Sequence, residues 1–179
     1  MNINRVWAMP NKNTFTIKPI FELVERYFGD LDARHDSSVR IDPFVNNSPF
    51  KVNCEYTNDL DPSIGASQNI DALEFLQQFD SSSVDLVLFD PPYSPRQVSE
   101  CYKKLGKSVN MQTTQSSYWG DMKKEIARIT REEGIVITCG WNSGGIGKTL
   151  GFKIKEILLV PHGGWHNDTI ITVERKHAY

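Results

Sequence analysis

Ten consecutive residues constrain this chain more than any others: Val84-Asp85-Leu86-Val87-Leu88-Phe89-Asp90-Pro91-Pro92-Tyr93. The first six are apolar apart from Asp85, partly β-branched, and few in number, which predicts a buried parallel strand. Two prolines then stop it, because neither has an N–H to give to a sheet ladder. Asp90 is thereby held at the carboxyl end of a central strand, the rim at which open α/β sheets bind ligands. The plainer alternative is a strand closing in a Pro-Pro turn, with Asp90 a solvated cap.

The remaining segments supply elements to surround that strand. Residues 5–9 read as a short extended stretch. Thr16 as cap, Pro19 in the first turn, and Ile20, Leu23, Val24 and Tyr27 at helical spacing predict a helix that Gly29 ends. Strands are expected at 39–42, 54–57 and around 67–70, then a short helix in which Asp71 is either the N-cap or a ligand-facing carboxylate. Helices follow over 96–105 and 119–130, separated by a polar stretch, 106–118, that reads as a lid or a spacer. Buried strands at 134–139, 153–160 and 168–175 complete the chain. The links from Asp42 to Cys54 and from Asp61 to Ser67 are short for βαβ crossovers. They predict a sheet half short of covering helices, and hence a homodimer in which a second subunit covers it.

Composition narrows the functional classes. The chain has 179 residues, 39% hydrophobic and 23% charged, with a net charge of −2, which suits one globular domain over 1–179 rather than a generally basic nucleic-acid binder. Charge is unevenly placed: twelve acidic against three basic side chains over 29–95, then eight basic against three acidic over 96–131. The basic block (Arg96, Lys103, Lys104, Lys107, Lys123, Lys124, Arg128 and Arg131) predicts an electropositive flank beside Asp90, suited to a polyanion, or else two solvated helix faces. No apolar run reaches ~20 residues and no signal-peptide layout opens the chain, so a cytoplasmic protein without membrane contact is expected. Three scattered cysteines agree with a reducing compartment. His162 and His166 lack further ligands at convincing spacing, so no metal is expected. Gly144-Gly145-Ile146-Gly147-Lys148-Thr149 fails the spacing of a phosphate loop. Trp141 either flanks a ligand or seals the core.

Asp90-Pro91-Pro92-Tyr93, straight after a buried strand, resembles the catalytic motif of the amino-methyltransferases. These enzymes move a methyl group from S-adenosylmethionine (SAM) to the exocyclic amine of a base. The order of motifs is similar to that of the small adenine-specific DNA methylases of bacteria and phages. The resemblance implies an α/β, Rossmann-like SAM-dependent methyltransferase fold, with a mostly parallel seven-stranded sheet, a C-terminal antiparallel strand pair and no separate target-recognition domain. It implies that the Asp90 carboxylate and the Pro91 carbonyl accept the two N–H groups of the amine, that Pro92 stiffens the turn, and that Tyr93 stacks on an extruded base. Pro10, Thr14, Phe15 and Lys18 occupy the place that lines the methionine pocket. Asp42-Pro43-Phe44 matches the SAM motif except that its glycines are missing; Asn46 and Asn47, which tolerate positive φ, stand in the turn. Asp59, with Asp61 in reserve, takes the ribose position, and Asp71 with Ala72 the adenine position. Nucleic acid is the implied partner, DNA ahead of RNA. No cysteine follows a proline, so the nucleophile of ring-carbon cytosine methylases is absent.

Overall fold

The structure is a computed structural model that describes residues 1–34, 37–106 and 116–177. Seven strands form one sheet: β1 (Asn2–Arg5), β2 (Arg40–Asp42), β3 (Tyr56–Thr57), β4 (Val84–Phe89), β5 (Thr130–Gly140), β6 (Phe152–Val160) and β7 (Thr169–Lys176), in the spatial order β1-β6-β7-β5-β4-β2-β3. Every pairing is parallel except those of β7, which runs antiparallel to both β5 and β6. Among the described residues the α-helices are α1 (Lys18–Asp32), α2 (Ala72–Gln77), α3 (Pro95–Lys104) and α4 (Ser116–Ile129).

β4 is an interior strand between β5 and β2, with all six residues buried. Its side chains alternate between faces as strand geometry requires. Leu86 and Leu88 meet Ile20, Leu23, Val24 and Phe28 of α1; Val87 and Phe89 meet Phe75 and Leu76 of α2 and Met122, Ile126 and Ile129 of α4. Each of these large side chains stabilises the fold by roughly 1.5–3 kcal/mol relative to exposure. The two faces clamp β4, and so fix where Asp90 emerges.

Four sequence expectations change. The first ordered strand is Asn2–Arg5, not 5–9; it pairs with β6 and the chain continues alongside it, with Val6 N–H donating to the Leu159 carbonyl at 3.0 Å and Ala8 N–H to that of Pro161 at 3.2 Å. Thr16 does not cap α1: its hydroxyl bonds back to the Asn13 carbonyl within a 3₁₀ turn. Gly29 does not end α1, because it faces open space and the turn after it is held by Leu31 packing on the core and by an Asp32–Arg40 ion pair. The third strand shrinks to one parallel bridge, Asn58 to Gln68. Seven strands are therefore present, with the N-terminal one in the seventh place.

The short β2–β3 link is a 3₁₀ turn, Pro49–Asn53, that turns Phe50 inward against Phe15, Phe21 and Phe28. One aromatic side chain thus fills part of the space a crossover helix would cover. The glycine run 144–147 does cradle an anion, but an internal one. The buried Glu174 carboxylate accepts from Ile146 N–H at 2.5 Å and Gly147 N–H at 3.0 Å. Gly145 has φ of 51°, and a Cβ there would collide with that carboxylate.

Candidate active site

The carboxyl ends of β2, β3 and β4 open onto a cleft of about 560 Å³, within the range of small-ligand sites. Asp90, Pro91, Pro92 and Tyr93 form one wall; Thr14, Phe44, Asp59, Asp71 and Ala72 line the others. Of the sequence-predicted residues, four stand elsewhere. Phe15 is buried in the α1-side core, edge-on to Phe50. Lys18 is exposed on α1 opposite Glu22. Pro10 is not in the lining. Asp42 is fully buried beneath the cleft floor. Periodicity cannot separate a pocket-facing Phe from a core Phe one turn before a helix, which is why Phe15 misled.

The motif is braced from several sides. The Tyr93 hydroxyl donates to Asp90 Oδ1 at 2.5 Å. Tyr93 N–H donates to Gln97 Oε1 at 2.6 Å, and the Ser94 hydroxyl caps α3 by accepting from Gln97 N–H. The Trp119 indole donates to the Pro92 carbonyl at 3.0 Å. Pro92 is thus occupied, and the acceptor next to Asp90 in the chain is the Pro91 carbonyl. Burial raises the Asp90 carboxyl above the usual range, against the Tyr93 and Thr14 hydroxyls, which lower it. Neighbouring Cys139 is pushed well up by burial and by Asp90 and Asp42, so it is held as a thiol.

The turn after β2 keeps its shape without glycines. Asn46 takes the left-handed conformation, φ 41°, and its N–H donates to Asp59 Oδ2 at 2.9 Å. The other oxygen of Asp59 accepts from Asp61 N–H at 2.9 Å. Buried Asn58 ties three segments together, donating to the carbonyls of Pro43 (3.2 Å) and Ile70 (3.0 Å) and accepting from Ile70 N–H (3.1 Å). Asp42 Oδ1 accepts from Phe44 N–H; its Oδ2 is buried with no partner among the described residues. Burial, then the charges of Asp90 and Asp59, hold the Asp42 carboxyl well above its ordinary value. Buried acceptors with that surplus of negative charge suit a cationic ligand.

Asp71 serves as the N-cap of α2 through Oδ1, while Oδ2 accepts from the hydroxyls of Tyr102 (2.8 Å) and Tyr118 (2.7 Å). Both hydroxyls are pushed up by burial, Tyr102 to about 12. Sequence reasoning missed Asn58, Tyr102, Tyr118 and Trp119. Only the aromatic content of the helices flanking 106–118 hinted at the last three, and most of that stretch, expected as a lid or spacer, lies outside the described residues. Four members of the expected electropositive flank are paired, Arg96 with Glu100, Lys124 with Asp121, Arg128 with Glu125 and Arg131 with Asp85, all within 3.0 Å; only Asp85 comes from outside 96–131, so most of the block's surplus of positive charge remains. His162 is taken up structurally, its Nδ1 donating to the Ala8 carbonyl and its Nε2 accepting from the Thr169 hydroxyl.

No family model matches the sequence, and no curated protein matches it. Solved structures do. A candidate methylase from Haemophilus influenzae superposes with a TM-score of 0.56 at 10% identity, covering 88% of this chain and 98% of that one. A SAM-dependent methyltransferase from Archaeoglobus fulgidus gives 0.54 at 10% identity, over 87% and 94%. The 1,6-didemethyltoxoflavin-N1-methyltransferase of Burkholderia thailandensis, solved with its substrate and S-adenosylhomocysteine, gives 0.51 at 10%, over 79% and 72%. The fold is the Rossmann-like fold of SAM-dependent methyltransferases. Its antiparallel β7 and rim cleft are accounted for by that architecture. Among the described residues no helix is long and apolar enough to cross a membrane.

Proposed function

We propose that the protein transfers a methyl group from SAM to the exocyclic N6 amine of adenine in DNA. The observation that carries this reading is the Asp90 carboxylate, set at the carboxyl end of β4 on the wall of a cleft large enough for a nucleoside-sized ligand. The chemistry of the donor set fits SAM: buried carboxylates, one with a free oxygen, beneath Phe44 and beside Asp59 and Asp71. In this reading Thr14, Phe44, Asp59, Asp71 and Ala72 hold the cofactor. When bound, SAM supplies the electrophilic methyl on its sulfonium.

The chain's residues do the rest. An exocyclic amine is a weak nucleophile because its lone pair is delocalised into the ring. The Asp90 carboxylate, which Tyr93 engages through Oδ1, and the Pro91 carbonyl accept its two N–H groups. That aims the lone pair away from the ring plane. With SAM bound, Asp90 would be placed to take the proton that the methylated amine gives up. Rigid prolines and the Trp119 contact keep both acceptors in place, so little reorganisation is needed at the moment of transfer.

Incubation with isotopically labelled SAM and either DNA or RNA, followed by mass spectrometry of the nucleosides, tests the proposal. Labelled N6-methyladenine from DNA is expected. Label appearing only in RNA would move the substrate, and no label in any base would remove the assignment.

A further inference from the structure

The rim of the sheet has a second half, built by the carboxyl ends of β5, β6 and β1 and by the start of β7. Three of the chain's four tryptophans stand there, and all three are exposed. Trp141 follows β5 directly and is 42% exposed; Trp7 follows β1 and is 59% exposed; Trp165, in the β6–β7 loop, is fully exposed. A large indole normally hides most of its surface, so three uncovered on one rim are unusual. They are not a packed patch. Trp7 sits against Gly163 in the loop that carries Trp165, and Trp141 meets Tyr93 edge-on, with ring centroids 5.5 Å apart.

The register lines them up. Gly140 pairs with Ile170, Thr169 with Val160, and the Pro161 carbonyl accepts from Ala8 N–H. β5, β7, β6 and β1 are successive neighbours, so this row runs about 15 Å from the Trp141 end at ordinary interstrand spacing. Charge divides the two halves. Asp42, Asp59, Asp61, Asp71 and Asp90 belong to the β2–β3–β4 half. Segments 1–11, 141–143 and 161–168 hold one basic side chain, Arg5, against one acidic, Asp168. A phosphate backbone is repelled by the first half and tolerated by the second.

We propose that Trp141, Trp165 and Trp7 are a stacking platform for the unpaired bases of a single nucleic-acid strand whose neighbouring nucleotide enters beside Tyr93. It rests on the nucleic-acid substrate proposed above. Faces of bases stack on indoles whatever their sequence, so this surface gives affinity and register without reading a site.

The test uses the full chain without cofactor and the anisotropy of a fluorescein-labelled single-stranded DNA of mixed sequence, with the matching RNA and duplex as further arms. Single strands are expected to bind, and duplex less well. Trp165→Ala and Trp7→Ala each weaken binding about tenfold, and Trp165→Phe recovers most of the loss. Because Trp165 is fully exposed, its substitution leaves the melting temperature unchanged. Unaltered affinity in the Trp7→Ala/Trp165→Ala double variant would overturn the platform. So would light scattering in which the same changes turn a dimer into monomers, since the indoles would then cover a second copy of the chain. Methyl transfer with unchanged KM in the double variant would sink the platform and spare the reaction. Indole-dependent binding with no methylated product would uphold the platform and sink the reaction.

Discussion

The two halves of the sheet rim are built on opposite plans. Around the ends of β2, β3 and β4, nearly every polar group is already engaged: Asp59 with two backbone N–H groups, Asn58 with Pro43 and Ile70, Asp71 with two tyrosines and its own helix. Around the ends of β5, β6 and β1, the large side chains are uncovered. A network satisfied before the ligand arrives costs little to organise and selects one small molecule. Free aromatic faces select nothing in particular but accept a long, variable one. The contrast suits a fixed cofactor on one side and a polymer on the other.

The sharpest break of this contrast comes at the wall between the halves. Asp90→Ala removes the amine acceptor from the ordered half while leaving both binding surfaces standing. Transfer should fall roughly 10²–10⁴-fold, with SAM affinity by calorimetry nearly unchanged. Comparable turnover in the variant would mean that the carboxylate is not the acceptor.

Asn58→Ala attacks the ordered half alone. It strands the Pro43 carbonyl in a buried place, at about 1–3 kcal/mol, and the Ile70 carbonyl and N–H in a partly buried one that water can reach, at less. Denaturant melts should show a loss of about 2–4 kcal/mol, and SAM affinity should drop with it, while single-strand binding by the folded fraction stays as it was. Equal loss on both sides would show that the halves are coupled.

Trp119→Phe keeps an aromatic ring, though a smaller one, and deletes the donor to the Pro92 carbonyl. About 1 kcal/mol of stability should go, and kcat should fall by about tenfold with little change in KM for SAM. A change confined to stability would make Trp119 a packing residue and nothing more.

The smallest expected effect is on the pH profile. Burial holds the Asp90 carboxyl up, and the Tyr93 hydroxyl holds it down. Only the ionised form accepts two-directional hydrogen bonding without offering a proton of its own. Activity should therefore rise with pH through a midpoint above the ordinary carboxylate range. In Tyr93→Phe, the lost hydroxyl moves that midpoint further up, so the variant is most impaired at low pH and converges on the parent as pH increases. A midpoint that does not move would place the titration on another group.

Local chemistry was legible from the residues alone. A six-residue apolar run stopped by two prolines is a strand with a carboxylate at its end in nearly any context, and β4 with Asp90 is that. Asn46 at positive φ and Asp71 as an N-cap follow from what their side chains do to the adjacent backbone. The misreadings are of another kind. Asn2–Arg5 carries no pattern that marks a strand; it becomes one because β6, some 150 residues later, offers it an edge, and because Asn4 reaches Glu156. Phe15 and Lys18 lie in a stretch with the right composition for a pocket, but the packing of Phe50 decides which way that stretch faces.

Residue order alone singled out the candidate groups, since turn geometry and strand termination are properties of a few neighbouring atoms. Partnership was decided only in three dimensions. That Trp119 grips Pro92, that Tyr102 and Tyr118 share Asp71, and that Arg131 reaches Asp85 all depend on distances between segments. Hydrogen bonds and ion pairs act over a few ångströms of space, whatever number of residues separates their ends, and folding is what brings those ends together.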